Sequence, residues 1–197
     1  MKEALEKRNH AQQTLTDEVL VELLASGNEE ALRAIFTRYY QPLARFAYTI
    51  VQRRDLAEEA VANVFQTLWT RRKLLSIQKT LKTYLFTAVK NQSIDLVRFC
   101  RREPVTSLDH VNHETLPAEH ELPGAGVYQE LDQEIQALLE AMPVQRRLVF
   151  RLNRFEGMRY REIARVMGIS ERTVQNHMVL AMKQIAPELP RLREILS

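Results

Sequence analysis

The sequence predicts an all-α protein of two small helical domains joined by a flexible acidic linker, the second domain containing a helix-turn-helix. Three observations predict it. Glycine accounts for only 5 of 197 residues, whereas Leu, Ala, Glu, Arg and Gln, which favour helices, are abundant. Apolar residues recur three and four apart over long stretches, the spacing of a helix face. Charge falls in three blocks. Residues 1–102 carry 17 Lys+Arg and 11 Asp+Glu, residues 103–140 carry 9 Asp+Glu and no Lys or Arg, and residues 141–197 carry 11 and 5. Basic domains suit nucleic acid, and the acidic stretch between them would be repelled by it.

After a tail of residues 1–15, a first helix is expected over 16–26, with Thr16 as cap, Asp17 and Glu18 in the first turn and Gly27 as stop. A second spans about Asn28 to Gln52, with Leu32, Ile35, Phe36, Tyr39, Leu43, Phe46 and Ile50 at helical spacing; Pro42 should kink or split it. Asp55 is expected to cap a third helix to about Arg72, whose apolar face is Ala57, Val61, Val64, Phe65 and Leu68. A fourth is expected over Ile77–Lys90 and a fifth over Gln92–Arg102, where Pro104 stops it. These make one domain, 16–102. Residues 103–127 contain Pro104, Pro117, Pro123, Gly124 and Gly126 and read as linker. Helical periodicity returns over Tyr128–Ala141 and over Pro143–Phe155, with Pro at the first position, opening a second domain, 128–197.

The most informative segment is Arg159–Met178. Ile163, Ala164 and Met167 give a short helix an apolar face, Gly168 supplies a turn requiring φ > 0, Ile169 plugs the corner, and Ser170 is well typed as the next N-cap. The second helix buries Val174 and Met178 and turns Glu171, Arg172, Gln175, Asn176 and His177 outward. Arg, Asn and Gln can bond base edges bidentately, so the layout is a helix-turn-helix with its recognition helix second.

Several function classes are disfavoured. The sequence holds no Gly-rich phosphate loop, nucleophile motif or metal-ligand cluster on an ordered element, so neither enzyme nor cofactor is expected. His110, His113 and His120 lie in the linker beside Glu114 and Glu119, without cysteine or rigid scaffold, and no metal site is expected there. No apolar run is long enough to span a membrane and MKEALEKRNHAQQ has no apolar core, so a soluble cytoplasmic protein is expected. One cysteine, Cys100, rules out an internal disulfide framework.

Three further motifs are specific. Asp55–Trp69 (DLAEEAVANVFQTLW) resembles the core-polymerase-binding helix of bacterial sigma factors, Leu81–Arg102 (LKTYLFTAVKNQSIDLVRFCRR) the promoter-melting and −10-recognition segment, and Leu139–Gly157 (LEAMPVQRRLVFRLNRFEG) the lead-in to the −35-binding domain. In this order, with a linker between, the chain resembles a two-domain extracytoplasmic-function (ECF) sigma factor.

That resemblance implies a division of labour. Asp55, Glu58, Glu59, Asn63 and Gln66 would dock on the β′ clamp of core RNA polymerase, an acidic surface meeting a basic partner. The family commonly has Gln-Glu where this chain has Ala62-Asn63. Lys82, Tyr84, Lys90, Asn91, Gln92, Asp95, Arg98, Arg101 and Arg102 would hold the −10 element, with Asn91 at a helix–helix junction facing a flipped base and the arginines on phosphates. Of Tyr84 and Phe86, Phe86 is expected to be the buried one. On the −35 duplex, Arg172, Gln175, Asn176 and His177 would read bases, beside Ser170 and Glu171, with Arg159, Arg161, Thr173 and Lys183 on phosphates. Many relatives are basic where this helix has Gln175, His177, Leu180 and Met182, which implies fewer phosphate contacts. The acidic linker would thread the channel later used by RNA. Further partners implied are the β flap and an anti-sigma factor. The alternative is a free-standing regulator of the response-regulator type, since Gly168–His177 also resembles that DNA-binding domain. Residues 1–102, however, show none of the strand patterns of a receiver.

Overall fold

A computed structural model describes residues 15–74, 80–102 and 134–190, and the chain divides into two compact units, Met1–Asn112 and His113–Ser197. Among the described residues all regular structure is helical, and no helix is long and apolar enough to cross a membrane. The expected linker and its histidines, residues 103–127, lie outside the described residues.

In the first unit, α1 (Asp17–Ala25) follows Thr16 in extended conformation and ends at Gly27, whose φ of +90° a side chain would resist. It is clamped onto α2 (Glu29–Val51) by Asp17, which accepts from Arg38 at 2.6 Å and from the Tyr39 hydroxyl, while Arg38 also reaches the Leu15 carbonyl at 2.7 Å. The Asn28 side chain caps α2, accepting from the Glu30 and Ala31 amides. Of the two outcomes expected of Pro42, a kink or a split, the split does not occur; it sits inside one continuous helix, half-exposed. Losing one intrahelical bond is tolerable in a helix that packs on both of the long helices that follow it in this unit.

The third helix, α3 (Arg54–Thr70), starts one residue before Asp55, so Asp55 is a first-turn residue and Arg53 holds the cap position. Its face of Ala57, Val61, Val64, Phe65 and Leu68 is buried as expected, with Leu56 and Ala60 added. A larger departure follows. Helix α4 (Leu81–Arg102) runs unbroken where two helices were expected. Nothing in Lys90-Asn91-Gln92 breaks a helix, and Val89 and Ser93 on either side are fully buried, so packing carries the helix through. Phe36 also departs from its expected place in the core: it is 42% exposed, and Leu32 and Ile50 are only half-buried.

In the second unit a helical segment, α5 (134–140), leads to α6 (Val144–Arg154), with Pro143 at the N-cap rather than in the first turn. Arg147 joins the two by donating to the carbonyls of Glu140 and Met142, at 2.9 and 3.2 Å. Helices α7 (Tyr160–Met167) and α8 (Glu171–Ile185) form the expected helix-turn-helix, both packed on α6. Gly168 takes φ +71° at the turn, and the Ser170 hydroxyl accepts from the Thr173 amide at 3.0 Å to cap α8. On α7 the core takes Ile163, Ala164 and Val166, whereas Met167, expected on the apolar face, is half-buried. Val174, Met178 and Ala181 bury the inner face of α8.

Candidate polymerase and promoter interfaces

On α3, Glu59, Asn63 and Gln66 recur at spacings of four and three and share one outward stripe, with Glu59 and Gln66 exposed and Asn63 half-buried. The surface is less acidic than its sequence implies. Asp55 is bonded by the Arg53 guanidinium at 3.1 Å, and that arginine holds the Asp55 carboxyl below the usual carboxylate range. Glu58 accepts from Arg54 at 3.0 Å, one turn away. Among the described residues Glu59 makes no ion pair. The two arginines at the start of α3 thus balance two of the three carboxylates.

Beside this stripe, α2 and α3 leave an open groove of about 380 Å³ lined by Glu29, Leu32, Arg33, Phe36, Phe65 and Trp69. Phe36 stacks on Tyr40 at 4.7 Å and meets Phe65 edge-on at 5.0 Å, and the Arg72 guanidinium lies 4.1 Å over the Trp69 ring. Sequence reasoning missed this groove because helical spacing assigns Leu32 and Phe36 to a core face and cannot say where the core stops. Burial and the nearby Glu58 carboxylate push the Tyr40 phenol up.

The candidate −10 residues share α4. Because the helix is continuous, Asn91 is an exposed mid-helix residue and not part of a junction loop, which corrects the expected helix–helix junction there. Tyr84, Asn91 and Arg98, seven apart, drift by only about 20° per step and so form one stripe. Tyr84 is half-buried, whereas Asn91 and Arg98 are exposed; Arg98 pairs loosely with Asp95 at 3.5 Å. Lys82, Lys90 and Gln92 are half-buried, and burial lowers the Lys90 pKa. Phe86 is fully buried and packs on Phe46, as expected. Arg101 and Arg102 complete the helix, though their side chains lie outside the described residues. Phe99, which was assigned no role, is 59% exposed; the signal available was its place directly after Arg98.

On the helix-turn-helix, Glu171, Arg172, Gln175, Asn176 and Lys183 are exposed on α8, and Arg159 and Arg161 are exposed at the start of α7. The Arg159 amide donates to Glu162 at 2.9 Å. The Ser170 and Thr173 hydroxyls bond each other at 2.8 Å, so both are engaged in the cap. His177 is half-buried, with Nδ1 buried and lacking a hydrogen-bond partner among the described residues. Only the opposite edge of its ring can serve a ligand.

Comparison with known proteins gives a consistent picture. The family model of sigma-70 region 2 matches residues 35–103, and that of sigma-70 region 4 matches residues 132–185. The RNA polymerase sigma-H factor of Pseudomonas aeruginosa is 25% identical over 189 residues, covering 90% of this chain and 96% of that one. The ECF RNA polymerase sigma-E factor of Escherichia coli K12 is 26% identical over 180 residues, covering 87% and 93%. Among solved structures, CnrH in complex with the cytosolic domain of CnrY has a TM-score of 0.61 at 21% identity, covering 89% of this chain and 97% of that one. RpoE of Bartonella quintana, in complex with the anti-sigma factor NepR, has 0.58 at 19%, covering 83% and 95%. These last two likenesses carry the fold.

Proposed function

The chain belongs to the ECF branch of the sigma-70 family, promoter-specificity subunits of RNA polymerase, and we propose that its α3, α4 and α8 divide that task among three surfaces. Region 2 and region 4 matches in this order favour a sigma factor over the free-standing regulator, and the described residues of the first unit are helical, without the strands of a receiver.

Glu59, Asn63 and Gln66, flanked by the self-paired Asp55 and Glu58, dock on the β′ clamp of core polymerase. The Tyr84–Asn91–Arg98 stripe, with Lys82, Lys90, Gln92, Asp95, Arg101 and Arg102 around it, holds the −10 element: aromatic and amide groups take unpaired bases and cations follow the backbone. The outward side chains of α8 read the −35 major groove, and Arg159, Arg161 and Lys183 hold phosphates on either side. The second unit also meets the β flap. The protein supplies specificity and strand capture, and the polymerase supplies the chemistry. It works where the polymerase does, in the cytoplasm. Since both solved relatives were captured with a partner, one of them an anti-sigma factor, an anti-sigma factor is the natural regulator here as well.

The single observation that carries this reading is the pair of ordered family matches on two separate helical units, on which Glu59, Gln66, Asn91, Arg98, Arg172 and Asn176 are exposed. The test is the affinity of the labelled full-length protein for purified core RNA polymerase by fluorescence anisotropy, with Glu58→Lys/Glu59→Lys as comparison. Tight binding weakened at least tenfold by the double variant is expected. Absence of binding by a folded wild-type protein would return the chain to the class of free-standing DNA-binding regulators.

A further inference from the structure

The outward face of α8 carries an apolar side chain at its centre. With a turn of 100° per residue, Arg172, Asn176, Val179 and Lys183 fall within about 60° of one another, opposite the buried Val174, Met178 and Ala181. Val179 is 49% exposed, and Leu180 beside it is 44% exposed. A single exposed valine is ordinary on a protein surface. This one, however, stands between a guanidinium, a carboxamide and an ammonium that all face the same way, on the helix assigned to the major groove. It can donate and accept nothing, so it reads no polar base edge. The major groove offers it one apolar group, the C5 methyl of thymine.

We propose that Val179 contacts the C5 methyl of a thymine in the −35 element, making it a specificity-determining residue alongside Arg172 and Asn176. This rests on the reading of α8 as the −35 recognition helix. Spacing sharpens the expectation. Val179 lies seven residues, about 10 Å, beyond Arg172 along the helix axis. For a helix running along the groove, that is about three base pairs from the base met by Arg172, and one or two from the base met by Asn176.

The test uses the full-length chain assembled with core RNA polymerase. A duplex pool randomised across the −35 region is selected for binding, and each thymine of the enriched site is then replaced by deoxyuridine, which removes the methyl and keeps every hydrogen bond. One replacement is expected to weaken wild-type binding about fourfold, the worth of one buried methylene-sized group. That same replacement should have no effect on Val179→Ala, and Val179→Ile should retain the discrimination. Circular dichroism melting checks that both variants are folded. An enriched site with no deoxyuridine-sensitive thymine, or a sensitivity that persists in Val179→Ala, overturns the proposal while leaving −35 recognition by α8 intact. A Val179→Ala variant that assembles less well with polymerase but discriminates normally would make the valine a protein contact, also overturning it. Enrichment indifferent to Arg172→Ala would fail the reading of α8 itself.

Discussion

The rings of Phe46 and Phe86 meet edge to face, centroids 5.1 Å apart and planes at 71°, and pin α2 to α4. Phe86 is fully buried, whereas Tyr84, two residues earlier on the same helix, is half-buried. One helix therefore carries a structural aromatic and a candidate functional one side by side. Phe86→Ala should lower unfolding free energy in urea by about 3–5 kcal/mol through the cavity it leaves. Tyr84→Ala should cost about 1 kcal/mol or less yet reduce permanganate reactivity of promoter thymines, a measure of strand opening. Full opening by a folded Tyr84→Ala variant would remove Tyr84 from the −10 site.

Ser93 lies on the buried side of α4, fully inaccessible, and its hydroxyl has no hydrogen-bond partner among the described residues. A buried polar atom without a partner carries its full desolvation cost, and removing it releases that cost. Ser93→Ala should therefore match the wild type or exceed it by about 1 kcal/mol in urea unfolding, with an unchanged m-value. A loss of that size instead would mean that the hydroxyl bonds a group that the structure does not pair with it.

How far the sequence was legible depends on what each residue answers to. Local chemistry was readable: Asn28 and Ser170 cap helices, Gly168 turns through positive φ, and Val174 and Met178 face inward, because each depends on its neighbours in sequence. Errors arose where tertiary packing decides. Pro42 remains within α2, and Lys90-Asn91-Gln92 continues α4, because buried residues on both sides outweigh a weak or absent local signal. The same limit hid the groove at Phe36 and Trp69 and drew Val166 rather than Met167 into the core of α7. At the α3 site, side-chain pairing was the missing information. Asp55 and Glu58 read as free charge in one dimension, and the fold supplies each with an arginine one turn or less away.

That pairing sets a pH dependence. The Arg53 guanidinium holds the Asp55 carboxyl below its ordinary value, so the folded state binds this proton less readily than the unfolded chain does. The resulting stabilisation is fully present above the unfolded pKa, near 4, and is lost as pH falls through the lower folded value. The pair is well exposed, so its worth is about 0.2–1 kcal/mol and shrinks with salt. Asp55→Asn should be less stable than wild type by that amount at neutral pH, and the gap should close in the acid range below about pH 4. A gap that persists there would assign the effect to packing.

The −35 surface yields a salt dependence. Arg159, Arg161 and Lys183 are the exposed cations assigned to phosphates, whereas Gln175, Leu180 and Met182, also on the exposed surface of α8, bring no charge, and His177 is half-buried. Each neutralised phosphate contributes about −0.9 to the slope of log affinity against log salt, so three give about −2.7 for the contribution of this duplex. Lys183→Gln should weaken binding equally for preferred and random −35 sequences and flatten the slope by about 0.9. Arg172→Ala should act differently: as a base reader, it should lower the preference for one sequence over another by about 1–3 kcal/mol. The two variants, titrated across salt with matched duplexes that differ only in the −35 region, separate positioning from reading. If Lys183→Gln altered sequence preference while Arg172→Ala only changed the slope, the two roles would be exchanged, and α8 would lie deeper along its C-terminal half in the groove than its N-terminal cap implies.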